Sequence, residues 1–153
     1  MDLVLIRHGE AERDAASDSL RRLTARGEAE AMETGRRLQA LELPVPVVVS
    51  SPYRRARSTA DLIAIGIGAA AVRELPGITP DDDPRRAALA IAAACTPGST
   101  LVVVTHMPLI GSLLGLLLDD DLRQTRGVRT AGGAVLTGDF VAPGLMRVRH
   151  VLD

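Results

Sequence analysis

Two short runs, Leu3-Val4-Leu5-Ile6 and Leu101-Val102-Val103-Val104, are apolar at every position. A strand with one wet face alternates apolar and polar residues, so a strand with no polar position must be covered on both faces, as in a parallel sheet flanked by helices. Val45 to Val49 reads the same way. Helical spacing fills the intervals: Arg26 to Leu41, with Ala29, Met32, Gly35, Arg36 and Leu38 on one mixed face, and Tyr53 to Ile65, with Ala56, Ala60, Ile63 and Ala64. Asp83 to Cys95 begins with Pro84 in its first turn, and Pro108 to Leu118 follows the second apolar run. Near the end, Gly132 to Thr137 and Leu145 to His150 flank a Pro143-Gly144 turn and predict an antiparallel hairpin. The expected fold is an α/β three-layer sandwich in a single domain: a mostly parallel sheet flanked by helices, with the hairpin at its C-terminal edge. The chain's 153 residues suit one core.

In such a sheet, ligands gather at the carboxyl ends of the strands. Arg7-His8-Gly9 follows the first run, Ser50-Ser51-Pro52 the second and Thr105-His106 the third. A histidine that attacks phosphorus must offer an unprotonated nitrogen, and arginines around it depress its protonation while drawing in a phosphate dianion. Gly9 removes a side chain where a phosphate oxygen would approach the backbone. His106 could donate to a phosphoryl oxygen from the neighbouring strand, although a lone strand-end histidine is more often a structural, hydrogen-bonded residue. Of Arg54, Arg55 and Arg57 only one can point inward, because neighbours on a helix diverge by about 100°. Arg21-Arg22-Leu23-Thr24 precedes the first helix, with Thr24 as its expected N-cap.

All 18 basic residues are arginine. A guanidinium meets phosphate as a planar fork, although a GC-rich genome would also replace lysine by arginine. The formal net charge of −1 gives no general attraction to nucleic acid or to anionic membranes, so phosphate affinity has to be local. The single Cys95, in an alanine-rich stretch, excludes an internal disulfide and fits a reducing, cytoplasmic setting. No signal peptide is expected, since the N-terminus has no basic region and a short apolar run. Met107 to Leu118 is broken by Gly111, Ser112 and Gly115 and is too short to span a bilayer. No Asp/His cluster has metal-ligand spacing, so neither a metal nor a cofactor is expected.

Leu5-Ile6-Arg7-His8-Gly9-Glu10, Leu23-Thr24 with Gly27, Ser50-Ser51-Pro52 with Arg55-Ala56 and Thr59-Ala60, and Val104-Thr105-His106 together resemble the histidine phosphatase superfamily, the phosphoglycerate mutase-like group, over nearly the whole chain. Asp14 to Arg21 and His106-Met107-Pro108-Leu109-Ile110-Gly111 resemble its SixA-type phosphohistidine phosphatases. The resemblance implies a histidine phosphatase domain over residues 1–153, with His8 as the phosphorylated nucleophile. It also implies that Arg7, Arg55 and His106 form the phosphate pocket and that Arg21 is the additional arginine of the SixA type. Arg54 and Arg57 do not match the pocket position. Many members carry a glutamate general acid after the second helix; here that region offers Glu74, then Asp81, Asp82 and Asp83. Glu74 is the candidate, the alternative being a solvated strand-end charge paired with Arg73.

Leaving-group chemistry chooses among substrates. An alkoxide leaving a phosphomonoester needs a proton, whereas phosphohistidine expels imidazole, with a pKa of about 6.5. Little chain lies between the second helix and the strand at Leu101, so no large lid is expected, and an open arginine-lined mouth suits a phosphorylated side chain on another protein. The first expectation is therefore a phosphatase acting on phosphohistidine of phosphotransfer proteins, through two in-line displacements with a phospho-His8 intermediate. The second keeps the chemistry and takes a small phosphomonoester, such as a sugar, nucleotide or cofactor phosphate. The third is a non-catalytic phosphate-binding module. Oligomeric state and the roles of Tyr53 and His150 are left open.

Overall fold

The computed structural model describes all residues, 1–153. One six-stranded sheet runs through it in the order β3-β2-β4-β1-β5-β6. The strands are β1 (Asp2–Arg7), β2 (Pro46–Ser50), β3 (Val72–Glu74), β4 (Thr100–Thr105), β5 (Gly133–Thr137) and β6 (Arg147–Leu152), and the helices are α1 (Ala25–Ala40), α2 (Arg54–Ile67), α3 (Pro84–Ala94) and α4 (Leu109–Asp119). β3, β2, β4 and β1 are mutually parallel; β5 is antiparallel to β1, and β6 to β5.

The all-apolar runs behave as their composition demands. Leu3 and Leu5 of β1, with Leu101 and Val103 of β4, enter one core with Ile91 of α3 and Leu113 of α4. Val4, Ile6, Val102 and Val104 point the other way, against Leu38 of α1 and Ala60 and Ile63 of α2. Alternate side chains thus feed two cores, one on each face, and neither strand can be moved by one residue without exchanging them.

Several boundaries differ from expectation. β2 begins at Pro46, because Val45 has a φ of 36° and lies outside the strand. β6 runs two residues later than the predicted second hairpin strand. The buried face of α1 is Gly27, Ala31, Thr34, Gly35 and Leu38, so Ala29 and Met32 face solvent. The seam is set by close approach: a Cβ on Gly66 would lie 3.0 Å from Cα of Gly35. β3 is an addition to the expected strands, held by its pairing to Val48, Val49 and Ser50 of β2.

The fold positions its polar residues through backbone bonds beyond the strand ends. The N–H of His8 donates to Thr105 O (3.0 Å), that of Ser51 to Val104 O (3.0 Å) and that of Ala131 to His8 O (3.0 Å). The ends of β1, β2 and β4 are thereby fastened side by side.

Candidate active site

The ends of β1 and β4 carry His8 and His106, whose ring centroids lie 5.1 Å apart. Nδ1 of His8 is 2.7 Å from the carbonyl oxygen of Gly9. A carbonyl only accepts, so Nδ1 holds the ring proton and Nε2 carries the free lone pair. Arg55 donates its Nε–H to that nitrogen at 3.2 Å. Burial first, and then the charges of Arg55, Arg7 and Arg21, push the His8 pKa down to about 4 against the opposing bond to Gly9. Burial, with His8 and Arg55 beside it, takes His106 down to about 3. Both rings are neutral near pH 7, the state a nucleophile at His8 requires.

Arg55 is the inward-facing arginine of its helix, with a side chain only 4% exposed, while Arg54 is exposed and Arg57 pairs with Asp61 on the surface. The two ends of its guanidinium are held by one residue: Nη1 donates to the backbone oxygen of Asp18 (2.6 Å) and Nη2 to its Oδ2 (3.1 Å). The other carboxylate oxygen, Oδ1, accepts from Nη1 of Arg21 at 3.1 Å, and Nε of Arg21 donates to the carbonyl of Glu12 at 2.7 Å. Asp18, on a 3-10 turn at Asp18–Leu20, therefore ties together two of the three arginines expected to bind phosphate, Arg21 and Arg55. The hydrogen bond from Arg21, and then Arg55, holds its carboxyl below the usual range, so it is ionised. Sequence reasoning did not assign Asp18; the available signal was its place three residues before Arg21, in ion-pairing register.

Arg7 donates from Nη1 to Val128 O at 2.9 Å, and its buried Nε has no partner. Nδ1 of His106 is likewise buried and unpaired, while Nε2 lies 2.7 Å from the Ser51 hydroxyl. Both orphaned groups lie beside His8, and a buried polar atom without a partner is costly; a phosphoryl oxygen would supply one to an N–H. Tyr53, unassigned from the sequence, packs its ring edge-on to His106 at 5.1 Å and lies under the Arg55 guanidinium at 5.2 Å. His150 lies on the exposed side of β6, away from this constellation.

Gly9 also meets a packing demand. A Cβ there would meet the carbonyl oxygen of Gly27 at 2.5 Å, and its N–H donates to Thr59 Oγ1 at 3.0 Å. The glycine lets the first turn of α1 pack onto the loop, and its N–H is already engaged within the protein. Thr59 in turn donates to the carbonyl of Arg55 at 2.7 Å, linking α2 to the loop.

Glu74 lies across the sheet from His8. Its strand, β3, is the sheet edge, three strand positions from β1, or about 14 Å at the usual spacing. Its exposed carboxylate sits 3.7 Å from Nη1 of Arg57, so the partner is Arg57 and not Arg73. A cavity of about 490 Å³, open to solvent, lies over His8 and is walled by Arg7, Glu10, Glu12, Arg13, Arg21 and Thr130 among others. Glu10 on this wall accepts from Thr24 Oγ1 (3.1 Å) and lies 3.7 Å from Arg26. No Asp or Glu is among the chain's buried residues. No group of His, Cys, Asp and Glu has the arrangement to hold a metal ion.

Comparison with known proteins gives the chain a family and a fold. The model of the histidine phosphatase superfamily, branch 1, matches residues 3–82. The phosphohistidine phosphatase SixA of Escherichia coli K12 is 32% identical over 119 residues, 76% of this chain and 74% of that protein. The solved structure of the protein histidine phosphatase SixA complexed with tungstate superposes with a TM-score of 0.88 at 27% identity, covering 100% of this chain and 97% of the other. A mycobacterial glucosyl-3-phosphoglycerate phosphatase shares the fold at a TM-score of 0.72 and 19% identity, over 97% of each chain.

Proposed function

Because the chain belongs to the histidine phosphatase superfamily, branch 1, and is thus a histidine-nucleophile phosphatase, we propose that it removes the phosphoryl group from phosphohistidine on a phosphotransfer protein, with His8 as its nucleophile. One observation carries the choice of substrate: the protein buries no carboxyl group. A general acid that protonates an alkoxide near neutrality is a carboxyl kept neutral by an apolar wall. Here Asp18 is held ionised by two arginines, and Glu74 is exposed beside Arg57. A phosphohistidine ring that takes a solvent proton on its free nitrogen departs as neutral imidazole and needs no such acid.

In the first displacement Nε2 of His8 attacks phosphorus, the substrate P–N bond breaks, and imidazole leaves with that bond's electron pair. In the second, water attacks phosphorus from the opposite side, the P–Nε2 bond breaks, orthophosphate is released and the water's proton passes to solvent. Arg7, Arg21, Arg55 and His106 hold the equatorial oxygens, whose charge grows in each transition state.

The open cavity over His8 supports a protein partner, and the helix between β3 and β4, α3, packs with α4 in the core on one face of the sheet. The reading takes residues 1–153 as one histidine phosphatase domain, supported by the single sheet, working in the cytoplasm. No helix is long and apolar enough to cross a membrane.

A turnover panel tests the proposal. Phosphohistidine peptides and a phosphorylated phosphotransfer domain should be hydrolysed with kcat/KM at least about a hundredfold above sugar, nucleotide and cofactor phosphates, and folded His8→Ala protein should be inert. Efficient hydrolysis of small esters with phosphohistidine untouched would overturn the substrate; an active His8→Ala would overturn the nucleophile.

A further inference from the structure

Ser51 ends the ladder between β2 and β4 and has no exposed surface. The next residue, Pro52, has no N–H, so the first donor available to the Ser51 hydroxyl is Tyr53 N–H, which it accepts at 3.2 Å in a serine turn that starts α2. Its one other partner is Nε2 of His106 at 2.7 Å. These two bonds decide where two protons sit. A serine hydroxyl has one proton to give, and in a fully buried position that proton needs an acceptor. Tyr53 N–H cannot accept. If Nε2 of His106 bore the proton, Ser51 would accept twice and its own hydrogen would be stranded. With the proton on Nε2 the Nδ1 lone pair would be unmet as well, whereas donation from Ser51 to Nε2 leaves Nδ1–H as the single unmet group; the better-satisfied neutral imidazole therefore carries its proton on Nδ1, the buried atom that has no partner in the protein.

We infer that Ser51 is a positioning residue that fixes the tautomer of His106, so that an Nδ1–H donor is ready for an oxygen of the transferring phosphoryl group. The assignment rests on the reading of His106 as a phosphoryl ligand. Its logic matches His8, where the Gly9 carbonyl fixes Nδ1–H and bares Nε2; at His106 a hydroxyl donor does the equivalent work from the opposite nitrogen. Both devices spring from short segments that also deliver an arginine: Arg7 precedes His8, and Ser51 starts the turn that leads to Arg55. Without Ser51 the ring can place its proton on Nε2 and turn a lone pair toward the phosphoryl oxygens, converting an attraction into a repulsion.

The tautomer is readable directly by long-range ¹H–¹⁵N correlation of the histidine rings in the ligand-free protein, with exposed His150 as the internal reference. In the wild type His106 should show a protonated Nδ1 and an unprotonated Nε2. In Ser51→Ala the ring should move to Nε2–H or to a mixture, and kcat for a phosphohistidine peptide should fall about a hundredfold with KM changed less than about threefold. A wild-type His106 protonated on Nε2, or a ring signature unmoved in Ser51→Ala, overturns the inference. The wild-type spectrum alone decides if the variant does not fold. Nδ1–H in a protein that hydrolyses no phosphorylated substrate would instead sink the phosphatase reading and leave the Ser51 assignment standing.

Discussion

Arg55 donates its Nε–H to Nε2 of His8 at 3.2 Å, so the lone pair proposed to attack phosphorus is covered by a cation. An arriving phosphoryl group must take that lone pair for its phosphorus and offer the freed guanidinium an oxygen. One donor thus serves the resting nucleophile and then the transition state, and its loss should be felt in both. Arg55→Ala should lower kcat/KM about a hundredfold or more, whereas Arg54→Ala and Arg57→Ala should cost less than about threefold. Parallel kinetics on the three variants check this; equal small losses would mean a diffuse basic rim.

Asp18 links Arg55 and Arg21 through its two carboxylate oxygens. Asp18→Ala and Arg21→Ala should each lower kcat/KM about tenfold, and the double variant should lose markedly less than the product of the two, since each removes the same bridge. A double-mutant cycle measures the coupling. Strict additivity would show that Arg21 acts without Asp18.

The two active-site histidines make stability depend on pH in a definite direction. Their ordinary pKa of 6.5 falls to about 4 at His8 and about 3 at His106, with burial the leading cause at each. Above pH 6.5 neither folded nor unfolded chain binds these protons; below it the unfolded chain takes them up while the folded one refuses. Stability is therefore full above 6.5 and declines as pH falls toward 4. Tm by calorimetry should drop between pH 7 and pH 4.5, and the drop should shrink in His8→Asn. The acidic limb of kcat/KM should lie near pH 4 and not near 6.5.

Glu74 lies at the sheet edge beside Arg57. Glu74→Gln should leave phosphohistidine hydrolysis within about twofold of wild type, because an exposed ion pair contributes little. A thousandfold loss would make Glu74 an obligatory acid and favour a phosphomonoester substrate.

The parts of this site legible in the sequence are those whose chemistry and position coincide. β1 and β4 are readable because their central four positions are all apolar, and a buried strand leaves the residues beyond its end, His8 and His106, at the ligand-binding edge. Arg55 is legible through its motif, and helical geometry then excludes Arg54 and Arg57. β3 is not legible: Val72-Arg73-Glu74 has one partly buried residue and two exposed ones, and it becomes a strand only because β2 offers it a free edge. Asp18 and Ser51 are missed for a related reason. Each acts through a partner far along the chain, Arg55 for one and His106 for the other, and an aspartate or serine in a turn looks the same with or without such a partner.

The close contact between Gly9 and Gly27 separates two demands that a sequence motif would merge. Gly9 is required by the backbone of Gly27, and Gly27 by that of Glu10, since a Cβ on Gly27 would lie 2.0 Å from the carbonyl oxygen of Glu10. That demand comes from seating α1 and persists whether or not His8 ever meets a phosphate. A variant that lost catalysis but kept its fold would still need both glycines. The glycine after the histidine therefore answers to architecture, independently of the chemistry proposed for its neighbour.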